Sequence, residues 1–286
     1  MKTVGIAAKS TAEEAVKFAR RVASDLQERG YTVLFDDETG PAVKLPGVSI
    51  CKAKSELARL SDLVITFGGD GTLLSVARHV GDTVPIIGVN MGTLGFLTEI
   101  RVEEFPEVLE RVLAGNYRAE PRVALDVEVS GPGPLRHFRA LNDAVVNKSA
   151  LARIVEMRVK VGDMFVSSFR ADGLIIATPT GSTAYNLSAG GPIIYPTMGA
   201  VVITPICPHM LSNRPIVIPD EFELTISVVT ENQEVFLTLD GQEGAPISEH
   251  DTITVRKSPH SVLLVQSPTK NYFDVLRTKL DWGGGS

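Results

Sequence analysis

A glycine-rich loop holds the residues whose types and spacing could most clearly do chemistry. The run Gly68-Gly69-Asp70-Gly71-Thr72 lies between two apolar stretches, residues 63–67 and 73–77. This order predicts a strand, a tight loop and the start of a helix, with glycines that let backbone N–H groups approach a ligand closely. Thr72 is predicted to cap the helix, whose N-terminus attracts anions. The loop therefore has the features of a phosphate-binding site.

Asp70 is the unusual member of this loop. A carboxylate next to phosphates is repelled, so it needs a chemical task there. It could accept a proton from an attacking hydroxyl group, or help to hold a metal ion that is bound to the phosphates. Both interpretations indicate phosphoryl transfer, whereas an ordinary strand-to-helix turn would be enough to explain a lone Gly-Gly-Asp-Gly. The preceding strand, Thr72 and a second group of polar residues downstream favour phosphoryl transfer.

The second group of polar residues lies at 170–192, where a buried strand over 174–177 is predicted to lead into a turn rich in hydroxyl groups. A turn that caps a short helix would explain the serines and threonines. It would not explain Asp172, Tyr185 and Ser188 around the same turn. Small residues there would let a flat ring lie on the backbone, while hydroxyls and amides bind its edge. A serine nucleophile is a weaker interpretation because the Gly-x-Ser-x-Gly elbow is missing.

Two further segments place polar side chains among apolar ones. Asn142 and Asp143 are adjacent in an apolar strand, and neighbouring strand residues face opposite sides of a sheet. At most one of them therefore points into a given cleft unless a bulge intervenes, and spacing alone equally allows one exposed residue and one in a turn. Asp240, in Leu239-Asp240-Gly241-Gln242, is predicted to form a hairpin turn.

Composition narrows the class of protein. The chain has 286 residues, of which 44% are hydrophobic and 22% charged, as is typical of one or two globular domains. A net charge of −6 without a long basic run argues against nucleic-acid binding. Cys51 and Cys207 are far apart and are expected to be reduced and inert. With neither a signal peptide nor a bilayer-spanning apolar run in the sequence, we expect no membrane partner and a cytoplasmic location.

The pattern along the chain predicts two domains. Strands alternate with helices over residues 1–118, which indicates an α/β domain with a parallel sheet and ligands at the carboxyl ends of its strands. Residues 119–270 show alternating runs, the last at 262–265, and are predicted to be β-rich, with turns that include one at 231–232. A closing helix at 271–282 is expected to pack back on the first domain. We assign the tail at 283–286 to neither domain.

Taken together, these segments resemble the NAD kinase family, whose members phosphorylate NAD to NADP. The Gly-Gly-Asp-Gly-Thr loop is one hallmark, which phosphofructokinases and diacylglycerol-type lipid kinases share. Asn142-Asp143 is similar to the second hallmark, and the run 172–185, DGLIIATPTGSTAY, is similar to the third and most specific one. Segments 92–98 and 278–282 also match, so the resemblance covers nearly the whole chain. It departs at Asp143, where the family usually has glutamate. The side chain of Asp143 is one methylene shorter than that glutamate.

The resemblance implies a Rossmann-like α/β N-terminal domain and a C-terminal β-sandwich-like all-β domain. It implies that Asp70 is the general base on the adenosine 2′-hydroxyl, and that Asp172 and Tyr185 contact NAD partly across a subunit interface. The NAD-binding residues that it implies are Gly71, Phe96, Asn142, Asp143, Asp172, Thr183, Ala184, Tyr185, Ser188 and Asp240. The implied donor is ATP or, in some members, inorganic polyphosphate. Mg²⁺ would be bound with the donor, with no direct protein ligand predicted, and the implied assembly is a homodimer or homotetramer.

Two other functions compete with this one. The first is a related kinase with the same glycine loop that acts on a sugar phosphate or a lipid, and the run 172–185 argues against it. The second is a nucleotide-binding sensor on a kinase-like fold without catalytic activity. Loss of Asp70 would have favoured the sensor, and Asp70 is present.

Overall fold

The computed structural model of the protein describes residues 1–149, 154–210, 212–229 and 234–282. The chain forms two compact units: the first comprises Met1–Pro121 and the chain from Val262 onward, and the second comprises Arg122–Ser261. The turn predicted at 231–232 and the tail at 283–286 lie outside the described residues. Among the described residues, no helix is long and apolar enough to cross a membrane.

The first half of the chain alternates strands and helices. Its strands are β1 (Thr3–Ala8), β2 (Thr32–Phe35), β3 (Ser49–Ile50), β4 (Leu63–Gly68), β5 (Pro85–Asn90), β6 (Ile100–Arg101) and β7 (Ala119–Arg122). Its helices are α1 (Glu13–Glu28), α2 (Thr39–Val43), α3 (Lys54–Leu60), α4 (Asp70–Ala77) and α5 (Phe105–Leu113).

The second half is almost entirely β-structure until its last helix. Its strands are β8 (Leu125–Ser130), β9 (Arg136–Ala140), β10 (Asp143–Lys148), β11 (Val155–Val161), β12 (Met164–Ala171), β13 (Gly173–Ala177), β14 (Ala200–Ile206), β15 (Ile216–Pro219), β16 (Leu224–Val229), β17 (Val235–Leu239), β18 (Glu243–Ile247), β19 (Thr252–Lys257) and β20 (Val262–Val265). A 3₁₀ turn at Thr180–Thr183 precedes the one-turn helix α6 (Tyr185–Ser188), and α7 (Tyr272–Leu280) closes the chain.

The first unit is built on a sheet with strand order β3-β2-β1-β4-β5-β20-β7, and β6 pairs with β5. All pairs from β3 to β20 are parallel, so the carboxyl ends of these strands lie at one edge. Helix α1 packs on this sheet through an apolar stripe that recurs at helical spacing and includes Ala15, Phe18 and Val22. Phe18 meets the rings of Phe67 and Phe105 edge to face at 5.2 and 5.7 Å between centroids. The predicted parallel α/β architecture is confirmed.

Among the described residues, the second unit consists of two six-stranded sheets, and neighbouring strands in each sheet are antiparallel. Their strand orders are β15-β14-β13-β10-β17-β18 and β12-β11-β16-β19-β8-β9. One hydrophobic core takes side chains from both sheets, for example Val146 and Ile176 from the first and Met157 and Ile226 from the second. The two sheets therefore form a β-sandwich, as the sequence predicts.

Strand β20 does not belong to the sandwich, to which the sequence pattern assigned residues 262–265. It pairs in parallel with β5, with Leu263 beside Pro85 and Leu264 beside Ile86. A short apolar run is compatible with a buried strand of a parallel sheet and with a strand of a sandwich core, so periodicity could not distinguish these two kinds of strand. Residues 119–121 and 262–270 group with the first unit, rather than with the predicted second domain of 119–270.

Candidate functional site

The glycine loop at the end of β4 turns directly into helix α4. The helix begins at Asp70 with Gly69 as its N-cap, and no side chain caps it, so the prediction that Thr72 caps the helix is wrong. Thr72 lies within the first turn, where its hydroxyl packs on Gly68: a Cβ at Gly68 would come within 2.3 Å of Thr72 Oγ1. The tight turn therefore puts Asp70, instead of Thr72, at the helix N-terminus, where a carboxylate is stabilised by the helix dipole.

The carboxylate of Asp70 is fixed by four hydrogen bonds from the loop that follows β5. Oδ1 accepts from the backbone N–H groups of Leu97 (3.1 Å) and Thr98 (2.9 Å) and from the Thr98 hydroxyl (2.8 Å). Among the described residues, Oδ2 accepts one hydrogen bond, from the Phe96 N–H at 2.9 Å. A carboxylate has about four acceptor sites, roughly two on each oxygen. Oδ1 is therefore saturated, and Oδ2 keeps a site for one more donor.

Two residues allow the 95–98 loop to close over Asp70. A Cβ at Gly95 would lie 2.0 Å from Asp70 Oδ1 and 2.4 Å from Thr98 Oγ1, so only glycine fits there. Asn90, which is buried at the carboxyl end of β5, donates to Thr93 O (2.8 Å) and Thr98 Oγ1 (3.0 Å). Sequence reasoning missed Asn90, although a polar residue that ends a buried parallel strand is a usable signal.

In the second unit, Asp240 shapes the segment that carries Asn142. Its carboxylate accepts hydrogen bonds from the backbone N–H groups of Leu141 (3.0 Å), Asn142 (2.7 Å) and Asp143 (3.2 Å). Asp240 has a φ of 50°, and its own N–H donates to Asp143 O at 3.0 Å. Hairpin-turn chemistry alone does not account for these contacts. Asp240 therefore positions the backbone of Asn142 and Asp143.

Asp143 is a buried acid beside this carboxylate. Only 4% of the residue is exposed. Burial, and then the negative charge of Asp240, raise the pKa of Asp143 from 3.8 to about 7. Near neutral pH, Asp143 therefore exists in both the neutral and the charged form.

Asn142 and the turn after β13 are held together by backbone contacts. Thr178 donates from its N–H to Asn142 O (2.9 Å) and from its hydroxyl to Leu141 O (2.6 Å). A Cβ at Gly181 would lie 2.0 Å from Asn142 O, so glycine is required for this approach. Two buried oxygens here, Asn142 Oδ1 and Thr180 Oγ1, have no hydrogen-bond partner among the described residues. Because such atoms are costly unless satisfied, both oxygens are candidate contacts for a polar ligand. Sequence reasoning missed Thr180.

The hydroxyl-rich turn divides into buried and exposed residues. Ser182 is fully buried, donates to Pro179 O at 2.6 Å and accepts from Ile194 N–H at 3.0 Å, so its hydroxyl holds the turn together. Thr183 is buried, Ala184 is half-buried, and Tyr185 and Ser188 are exposed. Tyr185 and Ser188 are therefore accessible from solvent, whereas Ser182 is unsuited to act as a nucleophile.

Asp172 lies away from this turn. Strands β10 and β13 pair with Asp143 beside Ala177 and Asn147 beside Gly173, so Asp172 is next to the far end of β10. Its carboxylate is 3.6 Å from Lys148 Nζ. Five steps along β10 correspond to about 17 Å. The expectation that Asp172 and Tyr185 surround the same turn is wrong, because the whole of β13 separates them.

The side chains that could act as metal ligands decide which kind of metal site is possible. Within the described ranges there is no group of three or more His, Cys, Asp or Glu side chains that could hold a metal ion. This set of side chains suits Mg²⁺ that is held mainly through substrate phosphates and water, since Mg²⁺ keeps several waters and commonly binds through phosphate oxygens.

A glycine loop with a fixed carboxylate, and a second cluster whose buried oxygens lack partners among the described residues, are features expected of a small-molecule kinase that binds nucleotides. Two family descriptions match the chain: "ATP-NAD kinase N-terminal domain" over residues 4–117 and "ATP-NAD kinase C-terminal domain" over residues 141–267. The chain belongs to the ATP-NAD kinase family and is a kinase.

Full-length relatives support this assignment. The chain is 46% identical over 285 residues to the NAD kinase of Solibacter usitatus, covering 99% of this chain and 98% of the relative. It is 48% identical over 286 residues to the NAD kinase of Trichlorobacter lovleyi, covering 99% of each chain.

Two solved structures show the same fold. Yeast NADH kinase complexed with NADH matches with a TM-score of 0.90 and 24% identity, covering 100% of this chain and 89% of the other. An NAD kinase from Archaeoglobus fulgidus in complex with ATP matches with a TM-score of 0.75 and 24% identity, covering 97% and 99%.

Proposed function

We propose that this kinase transfers a phosphoryl group from ATP to the 2′-hydroxyl of the adenosine ribose of NAD, and that Asp70 is the general base. ATP-dependent phosphorylation of NAD is the reaction of the family to which the chain belongs. The observation that carries the role of Asp70 is its one open acceptor site: four donors fix the carboxylate, and Oδ2 can take one more hydrogen bond.

The chemical step follows from this geometry. The 2′-hydroxyl donates a hydrogen bond to Asp70 Oδ2, and its proton moves to Oδ2 as the hydroxyl oxygen attacks the γ-phosphorus of ATP. The bond between the γ-phosphorus and the bridging oxygen breaks, and ADP leaves with the electron pair. A base placed in this way contributes roughly 10²–10⁴-fold to the rate. The N-terminus of α4, beside the loop Gly68, Gly69, Gly71 and Thr72, provides N–H groups that suit the negative charge of the phosphates.

The proposed contacts with NAD are those that the family resemblance implies, together with Thr180. In the second unit, an amino group of adenine would satisfy Asn142 Oδ1, which lacks a partner among the described residues. The other proposed contacts in this unit are Asp143, Thr180, Thr183, Ala184, Tyr185 and Ser188, with Asp240 supporting them through the 141–143 backbone. Gly71 and Phe96 are the proposed contacts in the first unit.

Asp172 is proposed to contact NAD from a second copy of the chain. Its place at the far end of β10, about 17 Å from Asp143 along the strand, supports this assignment because it separates Asp172 from the other candidate residues of its own chain. The corresponding assembly is a homodimer or a homotetramer.

Mg²⁺ is the proposed metal, bound with the ATP phosphates. When bound, it neutralises part of the charge that develops on the transferred group. A cytoplasmic location is proposed as well, which fits the free thiols of Cys51 and Cys207.

The test of this function is the variant Asp70→Asn, with Asp163→Asn in the exposed β11–β12 turn as the control that removes the same charge. NADP formation is measured with ATP, and with polyphosphate as an alternative donor, in the presence of Mg²⁺. We expect kcat of Asp70→Asn to fall by about 10²–10⁴-fold, NAD affinity to stay within a few-fold, and the control to match the wild type. Turnover of Asp70→Asn close to wild type would remove Asp70 from the mechanism.

A further inference from the structure

The last turn of helix α7 brings a lysine to the proposed active-site loop. The Nζ of Lys279 is 5.4 Å from the centroid of the Phe96 ring. The N–H of Phe96 in turn donates to Asp70 Oδ2, the oxygen with the open acceptor site. An ammonium group on a long side chain therefore lies against the residue that contacts the proposed base.

Helix α7 holds this lysine in place. Asn271 and Asp274 form a reciprocal capping box at the start of the helix, and Val275 and Leu276 are buried. A capped helix with a buried apolar side is well fixed, so the Cα and Cβ atoms of Lys279 have a defined position. Only the flexible end of that side chain is left to move.

Two neighbouring basic residues form ion pairs, whereas Lys279 forms none with the described residues. Arg277 pairs with Asp274, and Lys270 Nζ lies 2.6 Å from a Glu104 carboxylate oxygen. Lys279 is half-buried and forms no ion pair with any residue that the structure describes. Among the described residues, its ammonium contacts the face of the Phe96 ring.

A phosphate oxygen is a stronger partner for this ammonium than the ring. A cation over a phenyl face at a partly exposed site is weakly held, whereas a charge-assisted hydrogen bond to phosphate is both shorter and stronger. Phosphoryl transfer depends on positive charge around the phosphates, yet the chain has a net charge of −6 and Asp70 adds a carboxylate at the loop. A lysine that can reach a phosphate would therefore add positive charge to that of Mg²⁺.

We propose that Lys279 leaves the Phe96 ring when substrate binds and that its ammonium then binds a phosphate group of that substrate. The phosphate belongs either to the polyphosphate chain of ATP or to the pyrophosphate of NAD. This proposal rests on the proposed function, because it takes both substrates from it.

The test compares Lys279→Met and Lys279→Arg with Lys2→Met, an exposed lysine that precedes β1 and whose loss changes the net charge equally. Dissociation constants for Mg-ATP and for NAD are measured by titration calorimetry at low and high KCl. For Lys279→Met we expect the Kd of one substrate to rise by about 10- to 100-fold at low salt. Its salt dependence should also weaken, because one screened ionic contact is lost. The substrate whose Kd rises identifies the phosphate.

Lys279→Arg should keep the affinity within a few-fold, since the charge is retained, and Lys2→Met should match the wild type. Unchanged Kd values and salt dependence in Lys279→Met would overturn the proposal. So would a loss of affinity for both substrates that leaves the salt dependence unchanged and that arginine does not restore, because this pattern indicates a structural role. If the wild type binds ATP but forms no NADP, the proposed function fails, while the Kd comparison still decides the role of Lys279.

Discussion

Replacement of Asp143 by asparagine should change how the stability of the protein depends on pH. Burial and the nearby Asp240 raise the pKa of Asp143 from 3.8 to about 7. Between these values the folded protein keeps a proton that the unfolded chain has released. Stability therefore falls as the pH rises from about 4 to about 7 and levels off above that, where both states are ionised.

The size of the effect follows from the two pKa values. Each pH unit between 3.8 and about 7 corresponds to roughly 1.4 kcal/mol, so the ionised side chain destabilises the fold by about 4 kcal/mol at pH 8. At pH 5 only about 2 kcal/mol of this has developed. Asparagine has nearly the same shape and no charge. The free energy of unfolding of Asp143→Asn minus that of the wild type should thus be about 2 to 3 kcal/mol larger at pH 8 than at pH 5, which means that the variant gains stability relative to the wild type as the pH rises.

Urea denaturation of both proteins at the two pH values measures this difference. Asp163→Asn, in an exposed turn, is the control, and its difference from the wild type should be nearly independent of pH. The same difference between Asp143→Asn and wild type at pH 5 and pH 8 would show that Asp143 is not the buried, proton-retaining acid described above. A wild type that gains stability relative to the variant as pH rises would refute the reasoning outright.

Three more substitutions test the packing of the candidate site. Gly95→Ala should displace the Asp70 carboxylate and lower kcat at least tenfold, because its Cβ would lie 2.0 Å from Asp70 Oδ1. Gly92→Ala is the control and should have wild-type kinetics, because a Cβ there would have no neighbouring atom within 4 Å among the described residues. Asn142→Ala should weaken NAD binding by about 1–3 kcal/mol in calorimetry if its free oxygen binds the ligand, and unchanged affinity would exclude this contact. Asn186→Ala should destabilise the fold by about 1–3 kcal/mol in urea denaturation, because it leaves buried polar groups unpaired; a change below 0.5 kcal/mol, the usual range for surface substitutions, would contradict this.

The main elements of the fold could be predicted from local patterns. The apolar positions of α1 recur at helical spacing, and Phe18 and Val22 are buried. The glycine loop was recognisable because it follows a buried strand and precedes a helix. Alternation of apolar residues likewise identified several strands of the sandwich, where one face of each strand meets a shared core. These features depend on residues that are close in sequence.

What could not be predicted depends on contacts between distant residues. The carboxylate of Asp240 reaches backbone N–H groups almost one hundred positions earlier, and nothing in its hairpin sequence indicates this. Lys279 meets Phe96 only because α7 returns to the first unit. Thr72 is a residue type that often caps helices, but the tight turn at Gly68 decided where the helix begins.

The measurement that tests the central claim most directly compares NAD with an analogue that lacks only the adenosine 2′-hydroxyl. Each is incubated with the protein, ATP and Mg²⁺, and transfer of labelled phosphate is followed by chromatography and ³¹P NMR. We predict that NAD gives NADP, whereas the analogue binds with a loss of about 0.5–1.5 kcal/mol, inhibits competitively and accepts no phosphate. Phosphate transfer to the analogue, at the nicotinamide ribose for example, would contradict the assignment of Asp70 to the 2′-hydroxyl.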